Sequence, residues 1–465
     1  MTTSKKQLTP QLIMAVVATG LLSFCGVIVE TAMNISFPTL MKEFGVTTNV
    51  VQWMTSIYLL VVAVMVPLSV YFNRSFKTKH LFIVANLLFI LGLVIDASAP
   101  NFTFLLLGRL IQGLGTGISL PLMFNIILEQ VPQEKLGLMM GVANLITGIA
   151  PALGPTFGGL VVTGMGWRWV FIFLLPFLVV PLLLGIAGIQ QPTPPQRGRF
   201  DQLSLCFIAL LFGGLVTGFA NLSGQPLISM AVGGAWLLGL LGLAGLTWRS
   251  LTLDQPLLDL RLLTNRRFHR ILLMFFFTQL CSLGFAFLLP NYIQLVNGKS
   301  ALVAGMVVLP AGFAGAVAAP VGGRLLDKYV ARRPIVAGNC LMLLAIVLFT
   351  LLARQLTDGL VATVYIFYMF GMGMTMGSLM TSALTFLKDN QQTQGNAILN
   401  TLQQFAGAMG TSLVSVIVAA SQRQHGQLVG TKVGTQEAFL FLLVLIVIIL
   451  LTGLATLPKR AVAKQ

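Results

Sequence analysis

The chain is built from long apolar runs separated by short polar or Gly/Pro-rich breaks. The runs fall near residues 12–37, 48–72, 80–99, 103–129, 137–163, 168–190, 203–221, 227–248, 269–294, 301–325, 334–353, 360–386, 396–421 and 436–457. About 20 apolar residues cross the hydrocarbon core of a bilayer as a helix. The pattern therefore predicts fourteen transmembrane helices. A length of 465 residues leaves roughly 33 per helix and loop, enough for a span and a short connection and little more. The first run is too long for the core of a signal peptide and leads into a second span, so it reads as the first helix of the mature protein.

Composition agrees. Hydrophobic residues make up 56% of the chain and charged residues only 9%, where a soluble domain carries about 25% charged. So few charges cannot cover an aqueous surface, and lipid is the expected solvent for most of the molecule. The fold class read from the pattern is an all-α membrane protein.

Charge orients it. The net charge is +16. In a soluble protein that would raise nucleic acid as a partner. Here the basic residues are spread over short loops with no long basic arm, so the expected partner is the bilayer and not nucleic acid. With the N-terminus taken as cytoplasmic, twenty-one basic residues fall on the inner side, among them Lys5, Arg74, Lys77, Lys135, Arg249 and Arg333. Six fall outside: Lys42, Arg168, Lys299, Arg354, Arg423 and Lys432. The positive-inside rule then predicts both termini cytoplasmic and an even helix count.

Two polar stretches divide the spans. Gln190–Asp201 is rich in Pro and basic residues and reads as a stiff linker. Leu253–Arg270 mixes apolar and basic residues and is expected to lie as a short amphipathic helix on the inner leaflet. Two spans sit between them. The layout is six, two and six helices, with units at 1–195, 196–252 and 253–465. The basic loop Gly322–Arg333 after the tenth span corresponds to Ser69–Lys79 after the second, the mark of a duplicated transporter fold.

Nearly all acids fall in loops. Glu30 is the exception, set in LLSFCGVIVETAMNISFPTL. A charge inside a span costs about 2.5–3.5 kcal/mol on insertion scales, and low dielectric favours a carboxyl in its neutral form. Glu30 is therefore a candidate proton carrier, with a permanent salt bridge as the competing role. Arg109, in LLLGRLIQGLGTG, lies at similar depth and is the expected partner. Asn34 is one turn from Glu30, and Gln112 is near one turn from Arg109, so both are candidates for the same polar cluster. Asp96 ends the third span and reads as solvated at the outer interface, with a part in coupling as the alternative.

The fifth span carries GIAPALGPTFGGL. Its glycines Gly148, Gly154, Gly158 and Gly159 allow close backbone approach, and Pro151 and Pro155 can bend a helix. Close packing and a hinge between halves both fit. In the last six spans no core acid occurs. Gln279, Asn400 and Gln403 are candidate cavity residues, the last two sharing a helix face. Thirty-two Phe and twenty Met suit an adaptable apolar pocket.

Other chemistries lack their residues. Cys25, Cys206, Cys281 and Cys340 lie in apolar runs with no metal-ligand spacing. Asn297–Ser300 (NGKS) ends like a phosphate loop, but position 293 is Ile where Gly is required. No acid cluster for metal-diphosphate chemistry occurs, so an enzyme is not expected. Nor is there a filter loop of the kind a channel uses.

The ordered motifs resemble the major facilitator superfamily, in particular its fourteen-helix drug:proton antiporter family. ETAMNISFP (30–38) is similar to that family's opening motif. The usual acid sits one position earlier, where this chain has Val29, and the displaced Glu30 is similar to a lincomycin-exporter-like branch. QWMTSIYLLVVAVMVPLS (52–69), GRLIQGLGTG (108–117), GIAPALGPTFGG (148–159), WRWVFIF (167–173) and AGMVVLPAGFAGAVAAPVGGRLLDK (304–328) resemble the later motifs in order. The resemblance implies two six-helix bundles with two extra helices between them. It implies proton transfer at Arg109, and an antiporter signature in the fifth span. The loop after the second span departs from the family, with Ser69 and Asn73 in place of Gly and Asp. A gating latch is instead expected from Asp327 with Arg332 or Arg333.

The expected function is proton-coupled export of small amphipathic or hydrophobic compounds (multidrug efflux) by alternating access, by a monomer in a bacterial plasma membrane, with protons as coupling ion and no bound cofactor or metal. Export of a native metabolite, lipid or peptide, or ligand sensing without turnover, are the alternatives.

Overall fold

The computed structural model of the protein describes residues 8–33, 36–46, 48–51, 53–191, 201–221, 225–226, 228–254 and 256–457. Its helices are α1 (Pro10–Met33), α2 (Phe37–Phe44), α3 (Thr48–Val51), α4 (Trp53–Ser75), α5 (Thr78–Ala97), α6 (Phe102–Gln130), α7 (Leu136–Met165) and α8 (Arg168–Gly188). They continue as α9 (Gln202–Asn221), α10 (Ala235–Thr252), α11 (Arg266–Leu295), α12 (Ala301–Lys328), α13 (Arg332–Leu352), α14 (Asp358–Thr385), α15 (Asp389–His425) and α16 (Gln427–Thr456). All but α2 and α3 are long and apolar enough to cross a membrane, which makes fourteen among the described residues. A helix satisfies its own backbone hydrogen bonds, the condition for an isolated segment to cross lipid.

Helix ends depart from the apolar runs where polar residues extend the coil. α15 starts at Asp389 and α16 at Gln427, seven and nine residues before the corresponding runs. Termini outside lipid are closed by side chains. Asn101 accepts from the backbone N–H of Phe104 at 3.0 Å, and Asn265 from those of Arg267 and Phe268 at 3.1 and 3.3 Å. Such caps satisfy the N–H groups a helix start leaves without a partner.

The first bundle comprises α1 and α4–α8, the second α11–α16. They meet along two seams, α7 against α12 and α4 against α15. At the first seam a Cβ on Gly141 would sit 2.6 Å from the Ala319 carbonyl oxygen. Only glycine lets these two backbones touch. Between the bundles in sequence, α9 packs against α4 and α15, while α10 packs mainly on α9. Asp201 and Arg249 tie the bases of α9 and α10 at 2.9 Å.

The polar stretches behave differently from their sequence reading. Residues 192–200 of the first linker lie outside the described residues. In the second, Leu253–Arg270, the expected amphipathic helix does not form. A short 3₁₀ turn, Leu260–Thr264, precedes α11. Leu257, Leu258 and Leu262 are buried, and Gln394 of α15 holds the segment by donating to the Pro256 carbonyl at 3.0 Å and accepting from the Asp259 N–H at 3.1 Å. The apolar side chains found protein, not lipid, to cover them.

On the face opposite the chain ends, Glu43 of α2 accepts from Trp167 Nε1 and from Arg168 Nη1, both at 2.7 Å. Arg168 Nη2 also donates to the Ala99 carbonyl at 3.0 Å. One carboxylate thus gathers three connections of the first bundle.

Candidate functional site

The centre of the first bundle is α6. Its small residues let α5 approach closely. A Cβ on Gly92 would lie 2.8 Å from the Gly108 carbonyl oxygen, and one on Gly108 would collide with the Asp96 carboxylate. This contact brings the end of α5 against the first third of α6.

Arg109 is fully buried there. Its Nε donates to the Met54 carbonyl at 3.1 Å, and its Nη1 to Gln112 Oε1 at 2.8 Å. The guanidinium carbon stands 4.3 Å from the centre of the Tyr58 ring, a cation–π distance. Tyr58 is fixed in turn, its hydroxyl donating to the Gly26 carbonyl at 2.9 Å and lying 2.9 Å from Thr116 Oγ1. Gln112 then passes the link on: its Nε2 donates to Asp96 Oδ2 at 2.7 Å.

This corrects the reading of Asp96. It is completely buried, not solvated, because Gly108 lets α6 cover it. Its Oδ1, like Arg109 Nη2, has no hydrogen-bond partner among the described residues.

Glu30 lies at the same centre, half-buried. It interacts electrostatically with Arg109 and Tyr58. The direct Glu30–Arg109 pairing considered from the sequence is not formed: the salt bridges among the described residues are Glu43–Arg168 and Asp201–Arg249. Arg109 spends its donors on Gln112 and on backbone. Asn34 lies outside the described residues.

The other candidates are distributed along the molecule. Gly154 and Gly158 of α7 pack on Thr31 and Ala32 of α1, Gly159 packs on Leu302 of α12, and Gly148 has open space beside it. Pro151 and Pro155 lie within the continuous α7. Gln279 is buried, with Oε1 unpartnered among the described residues. Asn400 Nδ2 donates to Asn396 Oδ1 at 2.8 Å, not to Gln403, which is half-buried. Asn396 Nδ2 donates across the seam to Asn125 Oδ1 of α6 at 2.7 Å, a pairing the sequence reading did not find.

Asp327 does not pair with Arg332 or Arg333. Its carboxylate crosses to the first bundle and accepts from the N–H groups of Gly137 and Leu138 at 3.0 and 2.9 Å. Arg332 reaches the Leu457 carbonyl at 3.5 Å, and the guanidinium of Arg333 lies 4.7 Å from the Tyr329 ring centre. In the corresponding loop of the first half, Asn73 donates to Glu129 Oε1 at 2.8 Å within its own bundle.

Fourteen spans, twelve of them in two six-helix bundles, with a buried cation and two carboxyls in the first bundle, define a polytopic carrier-type membrane protein. The chain belongs to the Major Facilitator Superfamily, whose family model matches residues 19–411. It is 36% identical to the "Lincomycin resistance protein LmrB" of Bacillus subtilis, over 96% of each chain. It is 34% identical to the Listeria innocua protein of the same name, over 93% of this chain and 94% of that one. Identity to the "Multidrug resistance protein B homolog" of Mycobacterium tuberculosis is 29%, over 86% and 75%. The human organic anion transporter MFSD10 shares the fold, with a TM-score of 0.63 at 14% identity over 94% of this chain and 100% of that one. The family consists of transporters, not enzymes.

Proposed function

We propose that the protein is a proton-coupled antiporter that exports small amphipathic drugs by alternating access, with Glu30 as the proton carrier. The observation that carries this reading is Glu30 itself: a half-buried carboxyl within a span, bonded to no described residue, in the field of a fully buried arginine. Such a carboxyl is free to gain and lose a proton, whereas one locked in an ion pair is not. The resistance proteins among its relatives support drug efflux. A tenfold proton gradient yields about 1.4 kcal/mol per proton, and a tenfold drug gradient requires about the same, so one proton per cycle suffices. The face holding both chain ends is the cytoplasmic one in this reading, in keeping with the basic loops, and the membrane is the bacterial plasma membrane.

The test is growth inhibition in a pump-deficient bacterium expressing the wild type or Glu30→Gln, over a panel that includes lincomycin. Wild type should raise the inhibitory concentration of at least one drug, an uncoupler should remove the effect, and Glu30→Gln should fail to protect. Full protection by Glu30→Gln with retained sensitivity to the uncoupler would remove Glu30 from the mechanism.

A further inference from the structure

The Gln112 side chain is oriented between opposite charges. Its carbonyl oxygen faces the guanidinium of Arg109 at 2.8 Å and its N–H₂ faces the carboxyl of Asp96 at 2.7 Å. An amide held this way links the guanidinium to the carboxyl, so a change of charge on either is felt through it by the other. Arg109 and Asp96 are both fully buried, where an uncompensated charge is strongly unfavourable. Around this cluster the other ionisable groups are Glu30 and Cys25 on α1, Tyr58 on α4, and Arg168 at the first residue of α8, which binds the Ala99 carbonyl; Tyr71 and Arg74 of α4, Lys79 and His80 of α5 and Glu129 of α6 lie toward the other ends of their helices. Among the described residues, only Arg109 supplies positive charge in the interior of the first bundle.

We propose that Asp96 is the resident counter-charge of Arg109, a positioning residue acting through Gln112, and that the proton-free site therefore takes a monocationic amphipath. The inference rests on the proton role of Glu30. With Arg109 compensated by Asp96, the site is neutral while Glu30 holds its proton. Loss of that proton leaves one negative charge. A monocation restores neutrality, whereas a neutral molecule or a dication leaves one charge unmatched. The cation enters as the Glu30 proton leaves to the cytoplasm. On the outer side the cation departs and Glu30 takes up a proton. One positive charge travels each way, so the exchange is electroneutral.

The test uses tetraphenylphosphonium, a permanent monocation, with the full chain in detergent and in proteoliposomes. Wild type should release one proton for each cation bound near neutral pH, and its exchange should ignore an imposed potassium diffusion potential. In Asp96→Asn the charge of Arg109 is unmatched and favours ionised Glu30. The midpoint of proton release should move down by roughly one pH unit or more, and cation affinity should fall about tenfold. Gln112→Leu, which removes the link and leaves both charges in place, should shift the midpoint the same way. Arg109→Met combined with Asp96→Asn restores the charge balance and should return the midpoint toward wild type, which a merely structural role for Asp96 would not produce. A wild type that does not bind the cation, an exchange that responds to the potential, a wild-type midpoint in Asp96→Asn, or absence of rescue in the double variant overturns the inference. Proton release by Glu30→Gln would instead defeat the underlying reading of Glu30. Loss of release in Glu30→Gln beside an unaltered Asp96→Asn defeats only the inference.

Discussion

Asp327 closes the first turn of a helix in the opposite bundle: its two carboxylate oxygens accept from the N–H groups of Gly137 and Leu138 at 3.0 and 2.9 Å. The bond joins α12 to the start of α7, where a helix leaves N–H groups unpaired and carries partial positive charge. Across the same end of the molecule, Asn396 of α15 bonds Asn125 of α6. The structure is thus clasped on the face of the chain ends.

Removing the carboxylate should loosen that clasp. Hydrogen bonds to a charged group contribute about 1.5–3 kcal/mol, so Asp327→Ala should raise the fraction of molecules open on this face by roughly tenfold or more. Spin-label distances between positions 134 and 331 would report it as a broadened, longer distribution. An unchanged distribution would show that the seam glycines alone hold the face shut.

Gly108→Ala should destabilise the first bundle. The new methyl meets the Asp96 carboxylate and the Gly92 backbone, and overpacking of this kind costs about 1–3 kcal/mol. Gly148→Ala adds a methyl to open space and serves as the control. Thermal unfolding in detergent should show a lower midpoint for the first and none for the second.

The Glu43 clasp should be sensitive to acid. Partial burial raises the carboxyl, but bonds from Trp167 and Arg168 and the charge of Arg168 together outweigh it and hold the group below its ordinary 4.5. A depressed value means the contribution is present above the unfolded value and lost as pH falls through the folded one. Glu43→Gln should therefore lower the melting midpoint at pH 7, and the gap to wild type should close as the pH is taken below about 4.

The Asp201–Arg249 pair should behave as a coupled unit. Burial raises Asp201, but its bonds from Arg249 and Ser204 with the charge of Arg249 outweigh that and hold it below the usual carboxylate range. Its side chain is 12% exposed and that of Arg249 23%. Asp201→Asn and Arg249→Met should each destabilise the protein by about 1 kcal/mol, and the double variant by less than their sum. Additive losses in a double-mutant cycle would deny the coupling.

The spans were legible because apolar content along one stretch decides whether a segment can lie in lipid. Arg109 and Gln112 could be grouped for a similarly local reason, since residues three apart share a helix face. Asp96 could not. Its position gives depth along α5 but not the neighbour that covers it, and the cover is Gly108, on another helix. Asp327 shows the same limit. Its loop also holds Arg332 and Arg333, yet the partner chosen is a backbone nearly two hundred residues away. Leu253–Arg270 carries the composition of a surface helix, but Gln394 of a distant span pins it to the bundle.

The helices α9 and α10 add a property that the two bundles alone would lack. Because α9 lies on both α4 and α15, and its Phe219 ring meets Phe405 of α15 at 6.0 Å, one of the two seams is covered by a third helix, while the α7–α12 seam is closed by the contact of its own two helices. A molecule dissolved in the bilayer therefore meets a third helix at one seam and the two touching seam helices at the other. The carrier is left-right asymmetric toward its membrane even though its halves repeat each other.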